Sequence, residues 1–74
     1  MNIAMVDITK DKHFVVPEDG KYLVRRVSGV VGVSTDYFSC RIKRHHDTKR
    51  NIYTNSFDCN GVDRITHISI RPLP

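Results

Sequence analysis

The residues best suited to contact a partner are the basic side chains clustered between positions 41 and 50. Five Lys or Arg residues and one acid, Asp47, lie in this stretch, whereas the other 64 residues carry equal numbers of basic and acidic side chains. The net charge of +4 is therefore a local feature. Such a cluster attracts an anion, either an acidic patch on a protein or nucleic-acid phosphates. The structural alternative is a solvated positive edge that prevents aggregation between strands.

Two cysteines and four histidines could bind a metal ion, but their spacing does not favour it. Zinc sites usually contain paired ligands, such as Cys-x2-Cys. Cys40 and Cys59 are far apart in the sequence, and the adjacent His45 and His46 point to opposite sides of a strand. We therefore expect no metal site and no cofactor.

Catalysis is not expected either. The only Glu, Glu18, lies in a predicted turn, and the sequence contains no Gly-rich phosphate loop. A Cys–His nucleophile is conceivable. However, Cys40 is predicted to face the core, where a thiol is usually an inert hydrophobe. A domain this small also leaves little room for a substrate pocket. We predict that the protein has no catalytic residue and acts by binding.

The composition favours strands over helices. Val, Ile, Thr, Tyr and Phe number 27, whereas Ala, Leu, Glu and Gln number four. β-Branched and aromatic side chains fit a pleated surface, and helix formers are nearly missing. We expect residues 1–74 to form one all-β domain, a small antiparallel barrel or a compact sandwich of five to six strands. The strands are predicted at residues 3–9, 13–16, 21–27, 37–44, 51–58 and 64–71. Two glycines leave the conformation of 28–35 open.

The last three strands are predicted to form a meander over residues 37–71. One hairpin tip is placed at Asp47-Thr48, and a second at Asn60-Gly61, which is the preferred dipeptide of a type I′ turn. Both turns place the apolar side chains of the three strands on one face. The basic side chains then lie on the opposite face and at the first tip.

The same register predicts that the cysteines are free. Cys40 lies opposite Asn55, about 13 Å along the strand from Cys59. A disulfide needs Cα atoms within about 7 Å of each other. Free thiols and the lack of a recognisable signal peptide indicate a cytoplasmic location. No apolar run approaches the roughly 18 residues that span a bilayer, so no membrane contact is expected.

The predicted partner surface is the outward face and the tip of the first hairpin. It consists of Tyr37, Arg41, Lys43, Arg44, His45, Lys49, Arg50 and Ile52. Tyr and Arg often contribute much of the energy of an interface. We therefore expect a stand-alone intracellular binding protein of the accessory or inhibitor type, which binds an acidic surface of a protein. The size of the chain is typical of phage and mobile-element proteins that block a host protein.

Two alternatives remain open. In the first, the same face contacts nucleic-acid phosphates, and binding weakens steeply with salt. In the second, the protein is a structural subunit or homodimer that assembles through an apolar edge at Val30, Val31 and Val33.

Overall fold

One antiparallel sheet contains all the strands that the computed structural model describes, in residues 3–28, 34–59 and 64–74. The strands are β1 (Met5–Asp7), β2 (Gly20–Ser28), β3 (Ser34–Asp47), β4 (Ile52–Asp58) and β5 (Ile65–Ser69). Their order in the sheet is β1-β5-β2-β3-β4, and the sheet curls into a half-barrel. The all-β antiparallel prediction is confirmed, and it follows from the abundance of β-branched and aromatic residues.

The core lies on the inner face of the curled sheet. Side chains alternate between the two faces of a strand. Tyr22 on β2 faces Cys40 on β3, and Val24 on β2 faces Ile68 on β5. All four are buried, together with Ile42 and with Val16 from the segment before β2. Full burial of each large apolar side chain contributes about 1.5–3 kcal/mol.

The β3–β4 hairpin has a four-residue loop rather than the predicted two-residue tip. Asp47 pairs with Ile52, so residues 48–51 form the loop. The Asp47 carboxylate accepts the backbone N–H groups of Lys49 at 3.1 Å and Arg50 at 3.4 Å. Asn51 closes the loop with a φ of 54°, which Asn tolerates better than most residues. The predicted register is therefore displaced by four residues. Since four is even, the assignment of side chains to faces is unchanged.

The predicted meander over 37–71 is wrong in its last step. β5 pairs with β1 and β2, whereas β4 pairs with β3 alone among the described residues. Val6 and Val24 both lie opposite Ile68, which is completely buried between them. Alternation predicts which face of a strand is apolar, but it does not specify the neighbouring strand. The predicted turn at Asn60-Gly61 lies outside the described residues, as does the predicted edge at Val30, Val31 and Val33.

The segment predicted as a strand at 13–16 is irregular and packs across the inner face of the sheet. Its backbone is bound by a side chain instead of a neighbouring strand. Asn55 Oδ1 accepts the N–H of Val16, and Asn55 Nδ2 donates to the carbonyl of Phe14, both at 2.9 Å. One amide thus satisfies a donor and an acceptor that would otherwise be lost on burial. This clasp holds Val16 in the core.

Candidate interaction surface of the basic hairpin

The structure divides the predicted partner residues between two faces of the hairpin formed by β3 and β4. Arg41, Lys43 and His45 lie on alternate positions of β3 and share the outer face, where all three are exposed. Lys49 and Arg50 are exposed in the loop. None of these five residues forms an ion pair with another described residue.

Tyr37 and Ile52 also belong to the outer face, but they lie near its opposite ends. Tyr37 is 56% exposed and Ile52, opposite Asp47, is 44% exposed. Ten positions of β3 separate Tyr37 from Asp47, which corresponds to about 33 Å of extended strand. Only a partner that covers most of the sheet would contact both side chains.

Arg44 lies on the inner side of the hairpin, away from the other cations. Its backbone N–H donates to Asp19 Oδ1 at 2.8 Å, and its Nη1 donates to the carbonyl of Pro17 at 3.5 Å. Its Cζ lies 4.7 Å from the centre of the Tyr53 ring, a cation–π arrangement. Arg44 therefore attaches the turn before β2 to the hairpin, and its charge is not part of the outer face.

The loop is held by contacts on its inner side. The rings of His46 and Tyr53 are 5.0 Å apart, since the two residues are directly opposite in the β3–β4 register. His46 Nε2 is 3.0 Å from Asn51 Oδ1. Together with the Asp47 carboxylate, these contacts position Lys49 and Arg50 without neutralising either of them.

Sequence reasoning missed Lys21, which completes the basic patch. Lys21 on β2 lies directly opposite Arg41, so two like charges face each other across the strands. Such a pair destabilises a sheet by a few tenths of a kcal/mol or more. Asp58 on β4 is the other neighbour of Arg41 in this row, yet it forms no ion pair with it. Alternation along β2 does put Lys21 on the outer face, but its position beside Arg41 depends on the β2–β3 register.

We define the outer basic face as Lys21, Arg41, Lys43 and His45. Adjacent strands are about 4.8 Å apart, and alternate residues of one strand are about 7 Å apart. The four side chains therefore lie on one face within about 15 Å of each other, an area that a single acidic patch can cover.

The prediction of free cysteines is wrong, because Cys40 and Cys59 form a disulfide. Their Cα atoms are 5.3 Å apart. The β3–β4 register pairs Arg41 with Asp58, and its next step brings Cys40 opposite Cys59. The error is the same four-residue displacement that changed the loop. The disulfide closes the base of the hairpin, and the argument from free thiols to the cytoplasm fails with it.

A hydroxyl, an imidazole and a carboxylate lie in series at the other end of the sheet. Thr66 Oγ1 is 2.8 Å from His67 Nδ1, and His67 Nε2 is 3.7 Å from Asp7 Oδ2. Thr66 Oγ1 also donates to the carbonyl of Arg25 at 3.2 Å, so the series links β1, β5 and β2. Hydrogen bonds from the Thr9 hydroxyl and N–H are the main reason that the pKa of Asp7 is lowered. These contacts connect β5 to both of its neighbouring strands at this end of the sheet.

No protein-family model, curated protein or solved structure matches the chain. The residues that the structure describes include no helix with the length and apolar character needed to cross a membrane.

Proposed function

We propose that this protein is a small non-catalytic binding protein that contacts an acidic surface of a partner protein through its outer basic face. The observation that carries the proposal is the pairing of Lys21 with Arg41, beside Lys43, without an ion pair to any of them among the described residues. A like-charge pair costs folding free energy. A carboxylate-rich partner would relieve that cost and neutralise the cluster.

Rigidity of the hairpin supports the same function. The disulfide closes the base of the hairpin, and Asp47 binds the backbone of its loop. A surface that is already ordered loses little conformational entropy on binding. Opposite charges on the partner would also raise the association rate. One rigid domain can serve as an accessory protein or an inhibitor, because it can cover a surface of its partner.

A protein partner is favoured over a nucleic acid. Single-stranded nucleic acids bind where bases stack on several aromatic side chains within a basic groove. Tyr37 lies about 13 Å along β3 from Arg41, and the other exposed aromatic residues described, Tyr53 and Phe57, lie on the inner face. The phosphates alone would then provide the attraction.

The disulfide also bears on the compartment. Disulfides persist mainly in oxidising environments, such as the periplasm or the cell exterior. The Cys40–Cys59 bond therefore favours a location of that kind over the predicted cytoplasm.

A pull-down from an extract of the source organism, with and without nuclease, tests the proposal. The double variant Arg41→Glu/Lys43→Glu removes the patch. Lys10→Glu/Arg71→Glu is the matched control, because it changes the net charge equally at exposed positions outside the patch. We expect a protein that survives nuclease, remains with the control and is at least tenfold depleted with the patch variant. Recovery that disappears with nuclease, or equal recovery by both variants, would contradict the proposal.

A further inference from the structure

β4 is an edge strand without the usual protection. It pairs with β3 in one unbroken register from Asp58 to Ile52, and no strand lies on its other side among the described residues. Such an edge presents unpaired N–H and C=O groups to any chain that can pair with them. Natural edges are protected by Pro, Lys, bulges or short length. β4 has seven residues, no bulge, no Pro and no Lys, and its one charged residue is Asp58, at its end.

A groove of about 380 Å³ runs beside this edge. One wall is β4, where Tyr53 and Phe57 are 52% and 41% exposed. The other wall is the segment before β2, with Lys12, His13 and Phe14. The Asn55 clasp on Phe14 and Val16 sets the separation of the two walls.

The chemistry of the groove defines its occupant. Tyr53 and Phe57 are four positions apart on one face of β4, so each contacts an apolar side chain on alternate positions of an added strand. Among the described residues that line the groove, Lys12 is the one formally charged side chain, His13 lies beside it, and none is acidic. A negatively charged chain therefore matches the groove, whereas a second copy of this protein, with its net charge of +4, is opposed by repulsion.

We propose that the edge of β4 binds an extended acidic peptide segment of the partner, which adds a strand to the sheet. Main-chain hydrogen bonds along the edge give affinity in this mode of recognition, and side-chain contacts at alternate positions give specificity. The acidic character of the partner rests on the proposed function. The edge provides the mode of binding, and the outer basic face provides a second contact with the same partner.

Three synthetic peptides of about seven residues test the proposal by NMR titration. The first alternates Glu with Val and Phe, the second has Pro at its centre, and the third replaces Glu with Lys. We expect the first peptide to bind and to slow hydrogen exchange of β4 amides. Binding of the second and third is expected to be at least tenfold weaker, because Pro cannot continue the ladder and Lys adds positive charge beside the basic hairpin.

A matched pair of variants determines where on the protein the peptide binds. Tyr53→Glu introduces repulsion in the groove, and we expect at least tenfold weaker binding of the first peptide. Tyr37→Glu is the control, because Tyr37 is equally exposed on the outer face; a change of less than twofold is expected. The amide spectrum of each variant establishes that it is folded. Phe57→Glu replaces Tyr53→Glu if the latter unfolds.

Several outcomes would overturn the edge proposal. They are no binding of the acidic peptide, insensitivity to Pro, equal effects of the two tyrosine variants, and a β4-mediated dimer in sedimentation. If the peptide binds but is lost only with Arg41→Glu/Lys43→Glu, the edge is excluded while the proposed function stands. If the peptide binds at β4 and the pull-down shows no dependence on the outer basic face, the proposed function fails instead.

Discussion

The two ends of the sheet use charged side chains differently. At the end near the β2–β3 connection, Arg26 pairs with Asp36 at 3.4 Å and lies 5.1 Å from the centre of the Phe38 ring. Asp7 and His67 join β1 to β5 at the same end. At the hairpin end, the disulfide, the Asn55 clasp and the loop contacts hold the chain. Oppositely charged side chains pair at the first end, whereas the cations of the outer basic face at the second end form no ion pair with another described residue.

Removal of the disulfide should give the largest effect on stability. The chain-entropy model assigns about 3 kcal/mol to a cross-link of this span. We expect the Cys40→Ala/Cys59→Ala variant to lose about that much free energy of unfolding in urea. Reduction of the wild-type protein should lower the urea midpoint similarly. A midpoint unchanged by reductant would mean that the hairpin base is held without the covalent bond.

The Asn55 clasp should give the next effect. Asn55→Ala leaves a partly buried N–H of Val16 and a carbonyl of Phe14 without their partner, at a cost of about 2 kcal/mol. Thr54→Ala, one position away on the outer face, is the control and should change stability by less than about 0.5 kcal/mol. Equal urea midpoints for the two variants would show that the Asn55 hydrogen bonds do not stabilise the hairpin end of the sheet.

Charge reversal on the outer basic face should separate binding from stability. In Arg41→Glu, the new carboxylate gains an opposite charge in Lys21 but faces a like charge in Asp58, so we expect stability to change by less than about 0.5 kcal/mol. Recovery of the partner should fall in the same variant. At the other end, Asp36→Ala removes a contact of Arg26 and should lower stability by up to about 1 kcal/mol. If both variants destabilise the protein equally in urea, the proposed difference between the two ends of the sheet is wrong.

The pH dependence from Asp7 should be the smallest effect. The Thr9 hydrogen bonds lower the pKa of Asp7 in the folded protein, so folding favours its ionised form. The resulting stabilisation is complete above the ordinary carboxyl pKa of 3.8 and is lost as the pH falls through the lowered value. We expect Asp7→Asn to reduce the loss of stability in acid. If the variant unfolds in acid at the same pH as the wild type, other carboxylates are responsible for the loss of stability in acid.

The sequence predicted the faces of the basic hairpin better than it predicted the contacts of the hairpin with its neighbouring strands. The location of Arg41 and Lys43 on the outer face follows from the two-residue period of a strand, and the four-residue error in register left it intact. Lys21 could not be placed beside Arg41, because that contact joins residues from different strands. Arg44 was assigned to the partner surface, but the carboxylate of Asp19 and the ring of Tyr53 engage it on the inner side.

By itself, the sequence determined the all-β class, the alternation of inner and outer side chains, and the restriction of the net charge to one hairpin. These properties depend on local propensity and on the period of the strand. The tertiary structure decided the loop length, the Cys40–Cys59 bond, the position of β5 between β1 and β2, and the clasp at Asn55. Each of these is a contact between distant residues. Only the combined burial of Ile68, Val16 and the rest of the core selects one set of partners over the others.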